Sequence, residues 1–333
     1  MSHVDRHRGN IFGAIASVVV IMTVASGTAS PASGREPATS GAGASTAQVL
    51  NAVGGAPRIK TVPNDLTPPL RDYAQNPPPS AVTPDGLLSQ DGCVPATQNQ
   101  ATVGKCVFGD PKGSKTIVLV GDSHAEMWWS GFNAVAMRAH WKLVLLIKSA
   151  CPAVDLNFWY WPTNTPYPGC NAWHKYVTNR INKMDPAVVV FTSWWHGNGI
   201  IPNGYAPTPA QWQAGLEQAI TSITSPGTKK VVWGDIPYLA QAGPLCLAAH
   251  ETDVQACSTP ASEAVLTDHE QTLKAAALAT GATYVATTPW LCTSTCTAVV
   301  GKYSVYADAN HINSSYALYL QGAIATALQP VMG

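Results

Sequence analysis

Three residues in this chain have the types and spacing for nucleophilic chemistry: Ser123, Asp308 and His311. Ser123 stands in "TIVLVGDSHAEMWW", where an aliphatic run ends in a small polar cluster. Far downstream, "VYADANHINSSYA" places Asp308 three residues before His311. A serine hydroxyl is a poor nucleophile until a base takes its proton, and that base needs a group to fix its tautomer. An aspartate three positions back can reach the imidazole Nδ1 within one turn, which leaves Nε2 facing outward as the base. The competing reading is bland: Asp308 or Asn310 caps a turn and His311 lies on the surface.

The neighbours of Ser123 are read the same way. Asp122 is expected to hold the turn by bonding local amides rather than to react. His124 either lines a pocket or makes a structural hydrogen bond, and the sequence leaves both open. Trp128, Trp129, Trp194 and Trp195 are candidate sugar-stacking platforms, of which two are expected to be plain core. His140, His250 and His269 sit in helical or loop stretches with no evident partner and are expected to be exposed.

The elements that would position these residues are legible in the hydrophobic pattern. Short continuous apolar runs occur at 116–121, 142–149, 187–193, 229–235 and 283–287. Runs without alternation predict strands covered on both faces, as in a parallel sheet. Helical stretches fall between and after them, at 125–139, 171–184, 208–224, 262–280 and 314–328. In the second, Trp173, Val177 and Ile181 share one face. The alternation predicts a three-layer α/β/α domain around a five-stranded parallel sheet. Ligands of such sheets sit at the carboxyl ends of the strands, and Ser123 is at one of those ends.

Bulk properties narrow the function. The 333 residues carry no formal net charge, only 11% charged residues and no Lys/Arg cluster. That argues against nucleic acid as a partner, since binding it needs a basic face. Residues 1–30 begin with Arg6, His7 and Arg8, continue in an apolar run from Ile11 to about Ala25, and end in small residues. This describes a secretory signal peptide or, alternatively, an N-terminal anchor, and in either case an extracytoplasmic protein. Residues 31–90 are rich in Pro, Gly, Ala, Ser and Thr and read as a linker, although "TVPNDLTPPLRDYA" has the content to dock. The remaining 91–333 form the folded domain.

Eight cysteines in an exported chain imply disulfides. The simplest connectivity joins neighbours: Cys93 with Cys106, Cys151 with Cys170, Cys246 with Cys257, and Cys292 with Cys296. Zinc is disfavoured because no Cys-x-x-Cys occurs and Cys292/Cys296 has no second ligand pair nearby. No metal or cofactor enters this reading.

"VGDSHAEMW" after a first strand, with "DANH" before the last helix, resembles the SGNH (GDSL-like) hydrolase superfamily. The order of "VPNDLTPPL", "DGC", "KSACP", "PAVVVFTSWW", "GDIPY" and "LCTSTC" is most similar to the SGNH domain fused to bacterial acyltransferase-3 type membrane acyltransferases. The resemblance implies that Ser123 is the nucleophile, His311 the general base and acid, and Asp308 its orienter. It also implies three donors to the oxyanion: the Ser123 amide, a backbone N–H after the second strand, and an Asn after the third. Ser149 and Ala150 occupy the second position without the usual Gly. "SWWHGNGI" occupies the third, with Asn198 as a candidate donor and Trp195 and His196 as alternatives shaping the pocket.

The expected function is that of a serine esterase or O-acyltransferase working through an acyl-Ser123 intermediate on an acylated carbohydrate or glycolipid of the cell envelope, with a separate membrane acyltransferase as candidate partner. The alternative is a catalytically silent carbohydrate-binding domain that keeps the fold.

Overall fold

The computed structural model describes residues 41–70, 88, 91–195, 199–200 and 206–333. The N-terminal 1–30 segment lies outside these residues. Among the described residues no helix is long and apolar enough to cross a membrane.

Six strands form the central sheet: β1 (Val107–Gly109), β2 (Thr116–Gly121), β3 (Lys142–Ile147), β4 (Val188–Thr192), β5 (Lys229–Trp233) and β6 (Thr283–Val285). Their order across the sheet is β1-β3-β2-β4-β5-β6. β2 to β6 are mutually parallel, as expected from their continuous hydrophobicity. The addition is β1, which pairs antiparallel with β3 through Val107↔Val144. Three residues are too few to leave a periodic signal.

Each strand feeds both faces of the sheet. Ile117, Leu119, Leu143, Leu145, Val188 and Val190 belong to one buried core. Their immediate neighbours Val118, Val120, Val144, Leu146, Val189 and Phe191 belong to the other. The first core is covered by α1 (Thr46–Gly55), α3 (Trp129–Arg138), α8 (Ser314–Tyr319) and α9 (Gln321–Met332). The second is covered by α4 (Pro168–Met184), α5 (Pro209–Thr221) and α7 (Thr267–Thr280). Trp173, Val177 and Ile181 form the buried face of α4, as their spacing predicts.

Three expected helices are interrupted. The 125–139 stretch becomes α2 (Ser123–Glu126) followed by α3, the 262–280 stretch becomes a turn at Ala261–Ala264 followed by α7, and the C-terminal stretch breaks at Leu320. A short α6 (Gly243–Ala249) precedes the loop pinned by Cys246–Cys257.

The linker reading of 31–90 is corrected over its described part. α1 begins with a capping box: the Gln48 N–H donates to Ser45 Oγ, and the Ser45 N–H donates to Gln48 Oε1. Those two reciprocal bonds satisfy N-terminal donors that a helix otherwise leaves open. Val49 and Val53 are buried in the first core, as are Leu66 and Leu88. The Thr67 N–H also donates to the Lys302 carbonyl at 2.8 Å. A few well-spaced apolar residues therefore suffice to dock a segment whose composition looks unstructured. Val49→Asp is expected to cost about 3 kcal/mol, through lost apolar burial plus an unpaired carboxylate. A urea midpoint within error of wild type would show that α1 adds nothing to stability.

All four disulfides join sequence neighbours as expected, with Cα–Cα separations of 5.4, 5.5, 5.6 and 4.3 Å along the chain. His174 approaches Cys151 and Cys170, and the three form a metal-like cluster by distance alone. The two sulfurs are spent on each other, however, and His174 Nε2 lies 2.8 Å from the Pro152 carbonyl.

Candidate active site

Among the parallel strands, the chain reverses its direction of growth on either side of β2, between β3 and β4. That switch point is where open α/β sheets hold their ligands. Ser123 follows β2 there, and Trp194 follows β4.

The turn after β2 is held by Asp122. Its carboxylate is fully buried and caps α2 by accepting the His124 N–H at 2.9 Å. It also accepts the Trp194 N–H, at 3.0 Å to Oδ2, and so ties the end of β2 to the end of β4. Burial pushes the Asp122 pKa up, against the pull of His124 and of these amides. The expectation that Asp122 holds the turn is thus met by its hydrogen bonds, with a cross-strand tie in addition.

Gly121 permits this crossing. A Cβ there would fall far inside van der Waals distance of the Thr192 carbonyl oxygen on β4 and 2.9 Å from Ala125 Cβ. The Gly121 carbonyl in turn accepts the Lys148 N–H at 3.0 Å, which draws in the turn after β3.

His311 comes from the loop before α8. Its Nε2 lies 2.9 Å from Ser123 Oγ, and its Nδ1 lies 2.8 Å from Asp308 Oδ2. The other Asp308 oxygen accepts the N–H groups of Asn310 and His311, both at 2.8 Å. Burial works against ionisation of Asp308, but the His311 imidazole and these two amides outweigh it and hold its pKa below the usual carboxylate range. Three residues separated by up to 188 positions therefore meet in one hydrogen-bonded string. The bland reading of His311 as an unconnected surface residue is not what the geometry shows.

The other residues singled out in the sequence divide. Ser149 and Ala150 form the turn after β3 beside Gly121. Ala150 has φ +54°, the left-handed conformation that a glycine adopts without steric cost. The absent glycine is therefore replaced by a residue in the backbone state that favours glycine. The Ser123 N–H belongs to the first turn of α2, where no intrahelical acceptor exists. Asn198 and His196 lie outside the described residues.

Trp195 is not placed to line a pocket. It is buried in the second core, with its ring 4.9 Å from Trp212 and 4.5 Å from His269. His269, expected to be exposed, is buried in the same aromatic cluster. An apolar helix face can take up an imidazole whose sequence neighbours are polar, and nothing local signals it. Trp128 is core as well, while Trp129 and Trp194 are only partly buried. Trp194 is the one of the four beside the Ser123 site, 6.0 Å from the His124 ring.

His124 proves to be fully buried, with Nδ1 2.6 Å from Asp235 Oδ1. Asp235 and its partner Tyr238, in "GDIPY", have no role assigned by the sequence reading. A signal is present nonetheless: Gly234-Asp235 ends β5 as Gly121-Asp122 ends β2.

Comparison with known proteins places the chain in a family. The model of the SGNH domain (fused to AT3 domains) matches residues 92–326, and the chain belongs to that family. Among solved structures, the periplasmic domain of the lipopolysaccharide acetyltransferase of Salmonella ser. Paratyphi A has a TM-score of 0.52 at 15% identity, covering 65% of this chain and 84% of that one. That likeness shows a shared fold. A carbohydrate esterase family 2 enzyme from Corynascus thermopiles aligns at 16% identity and a TM-score of 0.38, over 66% of this chain and 68% of that one. No curated protein matches the sequence.

Proposed function

We propose that the protein is an exported serine esterase or O-acyltransferase acting on a cell-envelope carbohydrate or glycolipid. The observation that carries this reading is the Ser123–His311–Asp308 string, at 2.9 and 2.8 Å. Membership of a family described by its fusion to acyltransferase domains supports acyl chemistry. The four disulfides support an oxidising, extracytoplasmic location.

In the proposed mechanism Ser123 Oγ attacks the acyl carbonyl while His311 Nε2 takes its proton. Asp308 stabilises the imidazolium that forms and keeps Nδ1 protonated. The oxyanion faces the Ser123 N–H and the Ser149–Ala150 turn, with Asn198 as a further candidate donor. His311 then protonates the leaving oxygen, and acyl-Ser123 remains. In the second half His311 takes a proton from the incoming nucleophile. Water gives hydrolysis, and a sugar hydroxyl gives transfer. For the transfer branch the proposed acyl source is a membrane acyltransferase of the fused family's type. The intact string argues against a catalytically silent binding domain.

The test is covalent. Wild type treated with an aryl acetate and quenched in acid is expected to gain one acetyl group, mapped by peptide mass to Ser123. Ser123→Ala is expected to gain none and to release aryl alcohol at the background rate. Equal rates in both proteins would overturn the proposal. Addition of a glycan acceptor then separates the two branches by whether acyl-glycan or free acetate accumulates.

A further inference from the structure

Behind His311 lies a second imidazole–carboxylate pair that the proposed mechanism does not use. His124 and Asp235 are 111 positions apart, and their side chains are 0% and 3% exposed. Asp235 Oδ1 lies 2.6 Å from His124 Nδ1 and also accepts the Ile236 N–H at 2.8 Å. Asp235 Oδ2 accepts the Tyr238 hydroxyl at 2.7 Å. The ring of His124 meets that of His311 edge to face, with centroids 4.8 Å apart and planes at 65°. Tyr238 and Trp194 close the other sides at 5.9 and 6.0 Å.

The second ring nitrogen decides the protonation state. Among the described residues the buried His124 Nε2 has no hydrogen-bond partner. A cationic ring would bury an N–H there with no acceptor, whereas the neutral Nδ1–H tautomer presents only a lone pair. Burial lowers the His124 pKa and the carboxylates of Asp235, Asp122 and Asp308 raise it, with a net upward direction. The unpartnered Nε2 weighs against the cation, because stranding a charged donor costs more than stranding a lone pair. The groups that act on this ring are Asp122 and the Ser123–His311–Asp308 string from one side, and Asp235 with Tyr238 from the other. His269 acts on it through Asp235. The pair as a whole then bears the single negative charge of Asp235.

We propose that His124 and Asp235 are positioning residues of the acyl-transfer step. The neutral His124 ring backs His311 and presents the Asp235 charge to the imidazolium formed when His311 takes the Ser123 proton. Asp308 grips that imidazolium at its Nδ1 edge, and the buried pair stabilises it across the contact between the two rings. This inference rests on the acyl-transfer reading of Ser123.

The test follows His311 by NMR titration of its imidazole and by the acid limb of the kcat/KM profile for an aryl acetate. Asp235→Asn removes the charge at nearly constant shape. It is expected to move both readouts about half to one pH unit lower and to reduce kcat about tenfold. His124→Gln keeps a donor to Asp235 and leaves the charge in place, so it is expected to lower kcat without raising either midpoint. Tyr238→Phe removes one hydrogen bond and no charge, and is expected to leave both midpoints where they are. If Asp235→Asn folds and its midpoints equal those of wild type, the pair is only structural and the proposal fails. A rise in the His311 midpoint in His124→Gln would mean that His124 is a cation, and would also overturn it. Should Asp235→Asn not fold, the His124→Gln titration alone decides. Failure of the acyl-transfer reading is distinct, since it appears as a missing Ser123 adduct in wild type, and the NMR titration does not need turnover.

Discussion

Changing Asp308 to asparagine is expected to lower kcat for an aryl ester by roughly 10³ to 10⁴-fold in a protein that remains folded. The expectation follows from where each carboxylate oxygen points. Oδ1 accepts the Asn310 and His311 amides, and an asparagine oxygen can keep both bonds. Oδ2 faces His311 Nδ1, where an asparagine would place an amide donor instead. Two donors cannot share one bond, so His311 is driven to the tautomer protonated on Nε2. That tautomer cannot accept the Ser123 proton. Binding contacts are untouched, so KM should change little, and the thermal midpoint should move by no more than a few degrees. A kcat within tenfold of wild type would remove Asp308 from the proposed mechanism. The carboxylate's depressed pKa gives the sign of its acid behaviour: its ionised form persists below the ordinary range and is lost only as pH falls through the folded-state value.

Gly121→Ala should have the largest effect on the fold. The added methyl would meet the Thr192 carbonyl, a backbone atom of the neighbouring strand that cannot rotate away. β2 and β4 would have to separate at the end where Asp122 binds the Trp194 amide. Overpacking of this kind costs about 3 kcal/mol, and more when backbone must shift. The same movement would pull the Gly121 carbonyl from the Lys148 N–H and tilt Ser123 away from His311. Loss of soluble protein, or a denaturant midpoint lowered by that amount with hydrolysis abolished, is the expected result. Stability within about 0.5 kcal/mol of wild type would mean that the strands do not press on this residue.

The parts of this structure that were readable in advance share one property: they are written in consecutive residues. β2 to β6 are runs of buried aliphatic side chains, and the Ser123 turn follows one of them directly. The Asp308–His311 pair sits within one turn. The parts that escaped depend on residues far apart. The His124–Asp235 hydrogen bond joins "GDSH" to "GDIPY" across 111 positions, and neither piece alone implies the other. Trp195 follows β4 directly, a position that points to the site, whereas its indole turns into the core against Trp212. α1 was hidden for another reason: composition averages over a window, while Val49 and Val53 dock by spacing. The β1 edge strand is set by pairing with β3 and has almost no pattern of its own.

The disulfides pair as first with second, third with fourth, fifth with sixth and seventh with eighth, and no bridge encloses or crosses another. A chain delivered to an oxidising space from its N-terminus would present each cysteine's partner before any cysteine of the next pair arrived. Order of emergence alone would then select the native set from the roughly one hundred complete pairings that eight cysteines allow. Under such delivery correct oxidation would follow from emergence one pair at a time, whichever end came first, whereas a chain released fully reduced would have to sort wrong pairs.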